Sequence, residues 1–508
     1  MKIERTKNAG RNIVFGVILK VYQILIPFLM RTIMIYFMGI QYLGLSSLFT
    51  SILQVLNLTE LGVGSAMVYS MYKPIAEDDD KTICALMGLY RKYYRIIGLV
   101  IAVLGVCTLP FLDKLIKSDL PEDVNIYILF LLNLSLTVLS YWLFAYKNCL
   151  LNAYQRNDVV SKVALIMNTI QYALQIVVLI FLKNYYIYIL VALITQALTN
   201  IVTAVVVTKM YPQYSPRGKL DSKTVKVINN RIKDLFTAKF GSVVVSSADT
   251  IVISAFLGLT SLAVYQNYYY ILNSVYNIVG VIFIAVTAGI GNSLIVESID
   301  KNYNDFKKFT FIISWIICIC CCCFEGLYQP FMKIWMRSDE LMLPDSFVFL
   351  FCLYFYLLEI TMLWATIKDA IGLWHSDRFR PLIGAIVNLL LNVILVNFIG
   401  LYGILLSTIL SYLFISMPWL IHNLFKYVYK RSLWAYLYEL LKYFLVCIMS
   451  VIITWLICGQ ISDNGIFTFV MKFIISVLIP NILVIVTFKN SDEFTMSIRL
   501  LKKMINHK

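Results

Sequence analysis

The sequence predicts an all-α polytopic membrane protein of about fourteen transmembrane helices, arranged as two six-helix lobes plus two C-terminal helices. Three observations predict it. The 508 residues are 60% hydrophobic and only 14% charged, with a mean hydropathy of +0.80, far too apolar for a soluble multidomain chain. Apolar runs of about 17 to 25 residues or longer recur along the whole length, each able to cross a hydrocarbon core. Counting alternate connections and the span ends that adjoin them from a cytoplasmic N-terminus, 35 of the 43 Lys and Arg fall on one side, the asymmetry that orients membrane proteins.

Taken in order, the spans fall near residues 12–37, 41–72, 93–112, 124–146, 159–182, 185–208, 236–258, 261–296, 309–330, 345–367, 382–399, 402–424, 437–458 and 466–488. The first contains Lys20, Gln23, Pro27 and Arg31 and is followed at once by more spans, which reads as a retained helix rather than a cleaved signal peptide. Residues 209–235 carry Lys209, Arg217, Lys219, Lys223, Lys226, Arg231 and Lys233 and follow the sixth span. They divide the chain into an N-terminal lobe (1–208), a basic cytoplasmic linker (209–235), a C-terminal lobe (236–425), two additional helices (426–490) and a basic amphipathic tail (491–508). Both termini are expected in the cytoplasm. The net charge of +15 is spread over short connections, so it reports orientation and not a nucleic-acid partner. In the tail, Phe494, Ile498, Leu501 and Ile505 recur at helical spacing beside Arg499, Lys502, Lys503 and Lys508, a pattern suited to an anionic membrane surface.

The two halves resemble each other. Phe37 to Leu45 lies over Phe256 to Val264 at an offset of 219, Asn168 lies over Asn388 at 220, and Gly62-Val-Gly64 lies over Gly289-Ile-Gly291 at 227. A six-helix unit begins and ends on the same side, so two copies would be related by an axis along the membrane normal, as in many transporters.

Polar residues in these spans fall in stripes. On an unbroken helix at roughly 100° per residue, Gly16, Lys20, Gln23, Pro27 and Arg31 share about 80° of the first span. Ser46, Thr50, Asn57, Glu60 and Gly64 do the same on the second. Ser242, Ser246 and Asp249 form such a face on the seventh span, and Gln266, Tyr270, Asn273, Asn277 and Gly280 form one on the eighth. Ionisable groups at bilayer depth normally face a bundle interior or a water-filled cavity. A hydrated cleft between the lobes satisfies all four stripes, with Lys20, Gln23, Arg31, Asn57, Gln266, Asn273 and Asn277 as substrate-binding candidates. Arg31 has two readings, snorkelling to the outer headgroups or facing Asp249 across the cleft. Lys20 and Glu60 could pair structurally or serve a substrate or a proton. Glu325 and Glu359 are further acids within spans. The longest connection on the other side, about Met332 to Asp345, offers Arg337, Asp339 and Glu340 but little room for an active site, so an enzyme such as a polytopic glycan polymerase or ligase is disfavoured.

The eleven cysteines include Cys318 and Cys320 to Cys323 within one apolar span, pointing all around its helix, and no paired C-x-x-C motif occurs. They read as small apolar packing residues. His375, His422 and His507 form no cluster in sequence, so no metal or other cofactor is expected.

Tyr42-Leu-Gly44, Glu60 to Ala66, Asn152 to Arg156, Asp249 with Gly258 and Tyr265, and above all Pro381 to Asn388 with Asn392, Gly400, Gly403 and Thr408 resemble the Wzx-like polysaccharide flippases of the multidrug/oligosaccharidyl-lipid/polysaccharide (MOP) exporter superfamily. The resemblance spans about residues 10–490. It implies a MATE-like fold, alternating access, location in the bacterial cytoplasmic membrane, and a substrate of sugar units on an undecaprenyl-pyrophosphate carrier moved from the inner to the outer leaflet. It implies no catalysis. Cationic cavity residues such as Lys20 and Arg31 suit a pyrophosphate, which cannot cross hydrocarbon unaided. Glu60 and Asp249 are then the candidates for a coupling H+ or Na+. A lipid II flippase and a cation-coupled multidrug exporter of the same superfamily are the alternatives.

Overall fold

The computed structural model describes residues 5–506 except 61, 118–119, 337, 374 and 463–464. Arg337, His507, Lys508 and the side chains of Ser242, Ser246, Leu501, Lys503 and Ile505 lie outside the described residues. The described residues are overwhelmingly helical: α1 (Arg5–Phe37), α2 (Ile40–Leu56), α3 (Val63–Ala76), α4 (Asp80–Thr108), α5 (Ile126–Trp142), α6 (Asn148–Ala153), α7 (Asn157–Val177), α8 (Tyr185–Met210), α9 (Ser222–Leu257), α10 (Leu259–Val296), α11 (Ile299–Met336), α12 (Asp345–Ala370), α13 (Arg380–Ile399), α14 (Leu401–Ser411), α15 (Met417–Leu424), α16 (Leu433–Gly459), α17 (Gly465–Phe488) and α18 (Asp492–Asn506). Among the described residues, 11 helices are long and apolar enough to cross a membrane, or 12 with Ile126–Trp142 and Ala145–Ala153 counted as one span bent by 45°. The expected seventh and eighth spans correspond to α9 and α10, which run through residues whose side chains are not described. The chain is a multi-pass membrane protein.

Helix ends follow local chemistry. Asp79, Asn125, Asn184 and Asp221 cap α4, α5, α8 and α9, each side chain accepting from a first-turn amide at 3.0 to 3.2 Å. Asp221 places the start of α9 at Ser222, inside the basic segment 209–235, so that segment is partly helical. The helix expected over 41–72 is interrupted: α2 ends at Leu56, a 3₁₀ turn covers Asn57–Glu60, and Gly62 adopts φ 89° before α3. A Cβ at Gly62 would stand 2.6 Å from the Leu235 Cβ of α9, so the close approach of these segments needs glycine there. The stripe drawn on an unbroken second span therefore holds only up to the turn.

The chain forms two compact units, Met1–Ala263 and Val264–Lys508. In the first, α1 lies along α7, α2 and α3 pack on α9, α4 lies against α5, and α8 packs on α5 and α7. Tyr22 of α1 and Thr169 of α7 share a hydroxyl–hydroxyl bond of 3.0 Å. At one end, the Asn12 side chain donates to the Gln155 carbonyl at 3.0 Å and accepts from the Asp158 amide at 2.8 Å. The fully buried Asp158 is held by Arg156 at 2.8 Å and Lys162 at 3.5 Å.

In the second unit α11 is central, touching α12, α16, α17 and α18. Phe306 is stacked between Tyr429 and Tyr436 at 4.8 and 4.7 Å, and the Tyr436 hydroxyl accepts from the Trp364 indole at 2.8 Å. Tyr268 of α10 donates to Gln329 at 2.8 Å, while Tyr328 donates to the Tyr268 carbonyl at 2.9 Å. α13 and α14 form the tightest pair. There Asn388 donates to Thr408 at 2.9 Å, Asn392 to Asn388 at 3.3 Å, Ser407 to Asn392, and Ser411 to the Gly384 carbonyl at 2.9 Å. The residues of the last resemblance motif thus stitch two helices together. The eleven cysteines are free; Cys321 and Cys352 each donate S–H to the other's carbonyl, at 3.5 and 3.4 Å, across α11 and α12.

The repeat has a backbone counterpart. Gly39 before α2 has φ 112° and ψ 163°, and Gly258 before α10 has φ 90° and ψ 174°, a region open essentially to glycine alone, at the 219 offset. Asp377 stands 219 residues after Asp158 and is likewise buried and clamped, by Arg380 at 2.6 Å and Lys368 at 3.3 Å.

A Cβ at Gly44 would lie 2.3 Å from the Leu259 carbonyl oxygen, whereas none of the described atoms lies within 4 Å of one at Gly280. Gly44→Val is expected to destabilise the purified protein by about 1–3 kcal/mol, read as a lower melting temperature. Gly280→Ala is expected to leave melting unchanged or raised.

Candidate functional site

The interrupted second span brings two of the candidates into a polar cluster inside the first unit. Tyr141 of α5 donates to the Asn57 side-chain carbonyl at 3.3 Å, and Tyr94 of α4 donates to Glu60 at 3.3 Å. Tyr90, one helical turn before Tyr94, donates to the Tyr94 hydroxyl at 2.5 Å, and the Tyr94 and Tyr141 rings meet edge to face at 5.3 Å. Three phenols thus surround one amide and one carboxylate at the point where the backbone leaves α-helical geometry. Gly64 completes the wall: a Cβ there would crowd the Tyr90 hydroxyl at 3.1 Å and Glu60 Oε1 at 3.2 Å. This cluster can hold a carboxylate by hydrogen bonds and offers aromatic edges to a polar solute. The tyrosines were missed in the sequence because most membrane tyrosines are interfacial or packing residues; the spacing of Tyr90 and Tyr94 was the available signal.

On α1, Lys20 and Gln23 are exposed and Arg31 is half-buried. Their helix carries exposed apolar residues on another face, Val14, Val17, Val21 and Leu25 among them, while Met30 and Met34 are buried. Arg31 lies within electrostatic reach of Tyr188, whose ring stacks on Tyr185 at 5.6 Å; Tyr185 meets Tyr42 at 5.1 Å. Its guanidinium is therefore near an aromatic row of the first unit. Asp249 is half-buried on α9. In the second unit Gln266, Asn273 and Asn277 are half-buried on α10, and Asn277 donates to the Asn273 carbonyl at 2.7 Å.

Two acids treated as secondary in the sequence gain weight. Glu359 of α12 is fully buried, and neither carboxylate oxygen has a hydrogen-bond partner among the described residues. Tyr276 of α10 and Cys320 of α11 are within its electrostatic reach. Glu325 of α11 is buried with one oxygen unpartnered among the described residues, and Cys458 lies within reach of both Glu325 and the buried Lys472 of α17.

No protein-family profile and no curated protein sequence matches the chain. Solved structures do. A lipid II flippase, MurJ, in an inward closed conformation superimposes with a TM-score of 0.67 at 15% identity, covering 94% of this chain and 99% of MurJ. An inward-facing multidrug resistance MATE family transporter of the MOP superfamily matches with a TM-score of 0.59 at 13% identity, covering 80% of this chain and 97% of its own. A MATE transporter of Vibrio cholerae, VcmN, in a mutant form, matches at 0.56 and 14% identity, covering 84% and 98%. The chain has the fold of the MOP transporters.

A buried carboxyl without a partner is a standing cost to stability. Glu359→Met fills the same space without it and is expected to raise the melting temperature of the purified protein by roughly 1–3 °C. A fall in melting temperature would show that the carboxyl is bonded.

Proposed function

We propose that this chain is a flippase that moves undecaprenyl-pyrophosphate-linked oligosaccharide units from the inner to the outer leaflet of a bacterial cytoplasmic membrane by alternating access, with both termini cytoplasmic. The observation that carries the reading is the cationic α1, with Lys20 exposed and Arg31 beside an aromatic row. A diphosphate gains charge-assisted hydrogen bonds from such groups, and a guanidinium can bind it in a bidentate manner. Gln23, Asn57, Gln266, Asn273 and Asn277 supply neutral polar contacts of the kind sugars use, and tyrosine faces suit sugar rings. Glu60 is the candidate coupling site: its phenol partner can stay bonded while the carboxylate gains or releases a proton or Na+. Asp249 is the second candidate. An inside-negative potential adds about 2.3 kcal/mol per negative charge per 100 mV to outward movement. The fold shared with a protein named as a lipid II flippase supports a lipid-linked substrate; lipid II itself is the nearest alternative glycan.

A multidrug exporter is the second reading, favoured by the MATE structures with the same fold and by the acid at position 60. Cations on α1 would oppose a cationic drug.

The deciding experiment is flipping of a fluorescent undecaprenyl-pyrophosphate sugar in proteoliposomes, with and without an imposed potential. Wild type is expected to flip faster under an inside-negative potential, Arg31→Lys to keep most of that rate, and Arg31→Ala to lose about tenfold or more, the scale of one charged hydrogen bond. Full activity in Arg31→Ala would refute the charge role. No flipping, with transport of a cationic dye instead, would favour the exporter.

A further inference from the structure

The additional helices, the tail and α11 line an open cavity that the proposed transport does not use. It has a volume of about 880 Å³ and lies where the starts of α11, α16 and α18 meet the end of α17, so all its walls belong to the second unit. Its charged lining is Lys307, Arg431, Glu439, Lys442, Asp492 and Glu493, with Tyr303 and Phe488 as its aromatic walls. The wall is fixed from behind: Phe494 of α18 stacks on Trp315 at 5.8 Å and meets Phe311 at 6.2 Å.

The charges are balanced. Lys307 pairs with Glu493 at 3.0 Å, Lys442 with Glu439 at 2.8 Å, and Arg431 with Asp300 at 2.5 Å while lying 4.8 Å from the Tyr303 ring. Asp492 has no ion pair among the described residues. A simple anion meets three cations already neutralised by carboxylates. A ligand bearing both signs can take Arg431 and Lys442 with its anionic end and Asp492 and Glu439 with its cationic end, so that neither sign in the wall is left uncompensated. The volume falls within the range of small-molecule sites. From the cavity's rim, exposed apolar residues run on along α16 and α17, including Tyr438, Leu441, Ile485 and Val486. That face suits acyl chains. Lys301, Lys308, Lys426, Lys430 and Lys489 crowd the same end of the helices, which the positive-inside rule turns to the cytoplasm.

We infer that this cavity binds the phosphoethanolamine headgroup of an inner-leaflet aminophospholipid, separately from the transported substrate. A primary ammonium can donate three hydrogen bonds to the carboxylates; a trimethylated one can donate none, and a glycerol headgroup carries no cation.

The test is native mass spectrometry of the purified full-length protein titrated with phosphatidylethanolamine, phosphatidylcholine or phosphatidylglycerol of matched chains. Retention of the ethanolamine lipid is expected to exceed the others by about tenfold, the size of one or two charge-assisted bonds. Two double variants, Arg431→Gln with Lys442→Gln and Glu439→Gln with Asp492→Asn, are expected to abolish the preference. Ala435→Trp fills the cavity while leaving every charge in place, and is expected to abolish it in a chain whose melting is unchanged. Equal retention of the three lipids, a preference for the glycerol lipid, or a preference that survives these variants would overturn the inference. Soluble glycerophosphoethanolamine is the control on source: displacement of the lipid at equal concentration would assign the site to a free phosphoester and overturn the lipid assignment.

Discussion

In a hydrocarbon environment, polar groups cannot fall back on bulk water, and this constraint governs the structure more than any single contact. At the helix ends between spans, the same demand for partners is met by a pair of buried aspartates. Asp158 stands in the first turn of α7 and Asp377 in the turn before α13, and each is held by an arginine and a lysine. An unpaired carboxylate there would be prohibitively expensive, whereas a paired one fixes the direction in which the chain enters the next helix. The α13–α14 stitch and the reciprocal thiol bonds of α11 and α12 obey the same constraint with neutral groups.

Departures from full satisfaction then become informative. On α1, Lys20 and Gln23 stay exposed beside exposed Val17, Val21 and Leu25. Glu359 is a different case, enclosed and with neither oxygen hydrogen-bonded among the described residues. The cluster around Glu60 lies between these extremes, with a carboxylate held by a phenol beside a break in the helix, a place where geometry can change without opening the core.

The spans were legible because their signal is additive over some twenty residues and survives local irregularity. The break at Asn57–Glu60 was not, because the conformation of Gly62 answers to Leu235, far along the chain, and periodicity within one segment carries no such information. The motif from Pro381 to Thr408 was recognised as a pattern, but its physical content, a chain of amides and hydroxyls between two helices, emerged only from the contacts. Lys20, Arg31 and Glu60 were found from charge alone, since an ionisable residue in an apolar run is conspicuous. Tyr90, Tyr94 and Tyr141 were hidden among 34 tyrosines. Glu359 could be named from sequence, but not its lack of a partner.

The α13–α14 stitch also bears on how the chain is made. Asn388 and Asn392 stand one turn apart and fully buried, so α13 on its own would present two amides to lipid as it left the insertion machinery. Their partners Ser407 and Thr408 emerge only with α14, after the short turn at Gly400. The two helices are therefore suited to enter the bilayer as a preformed hairpin, each hiding the other's polar groups from lipid.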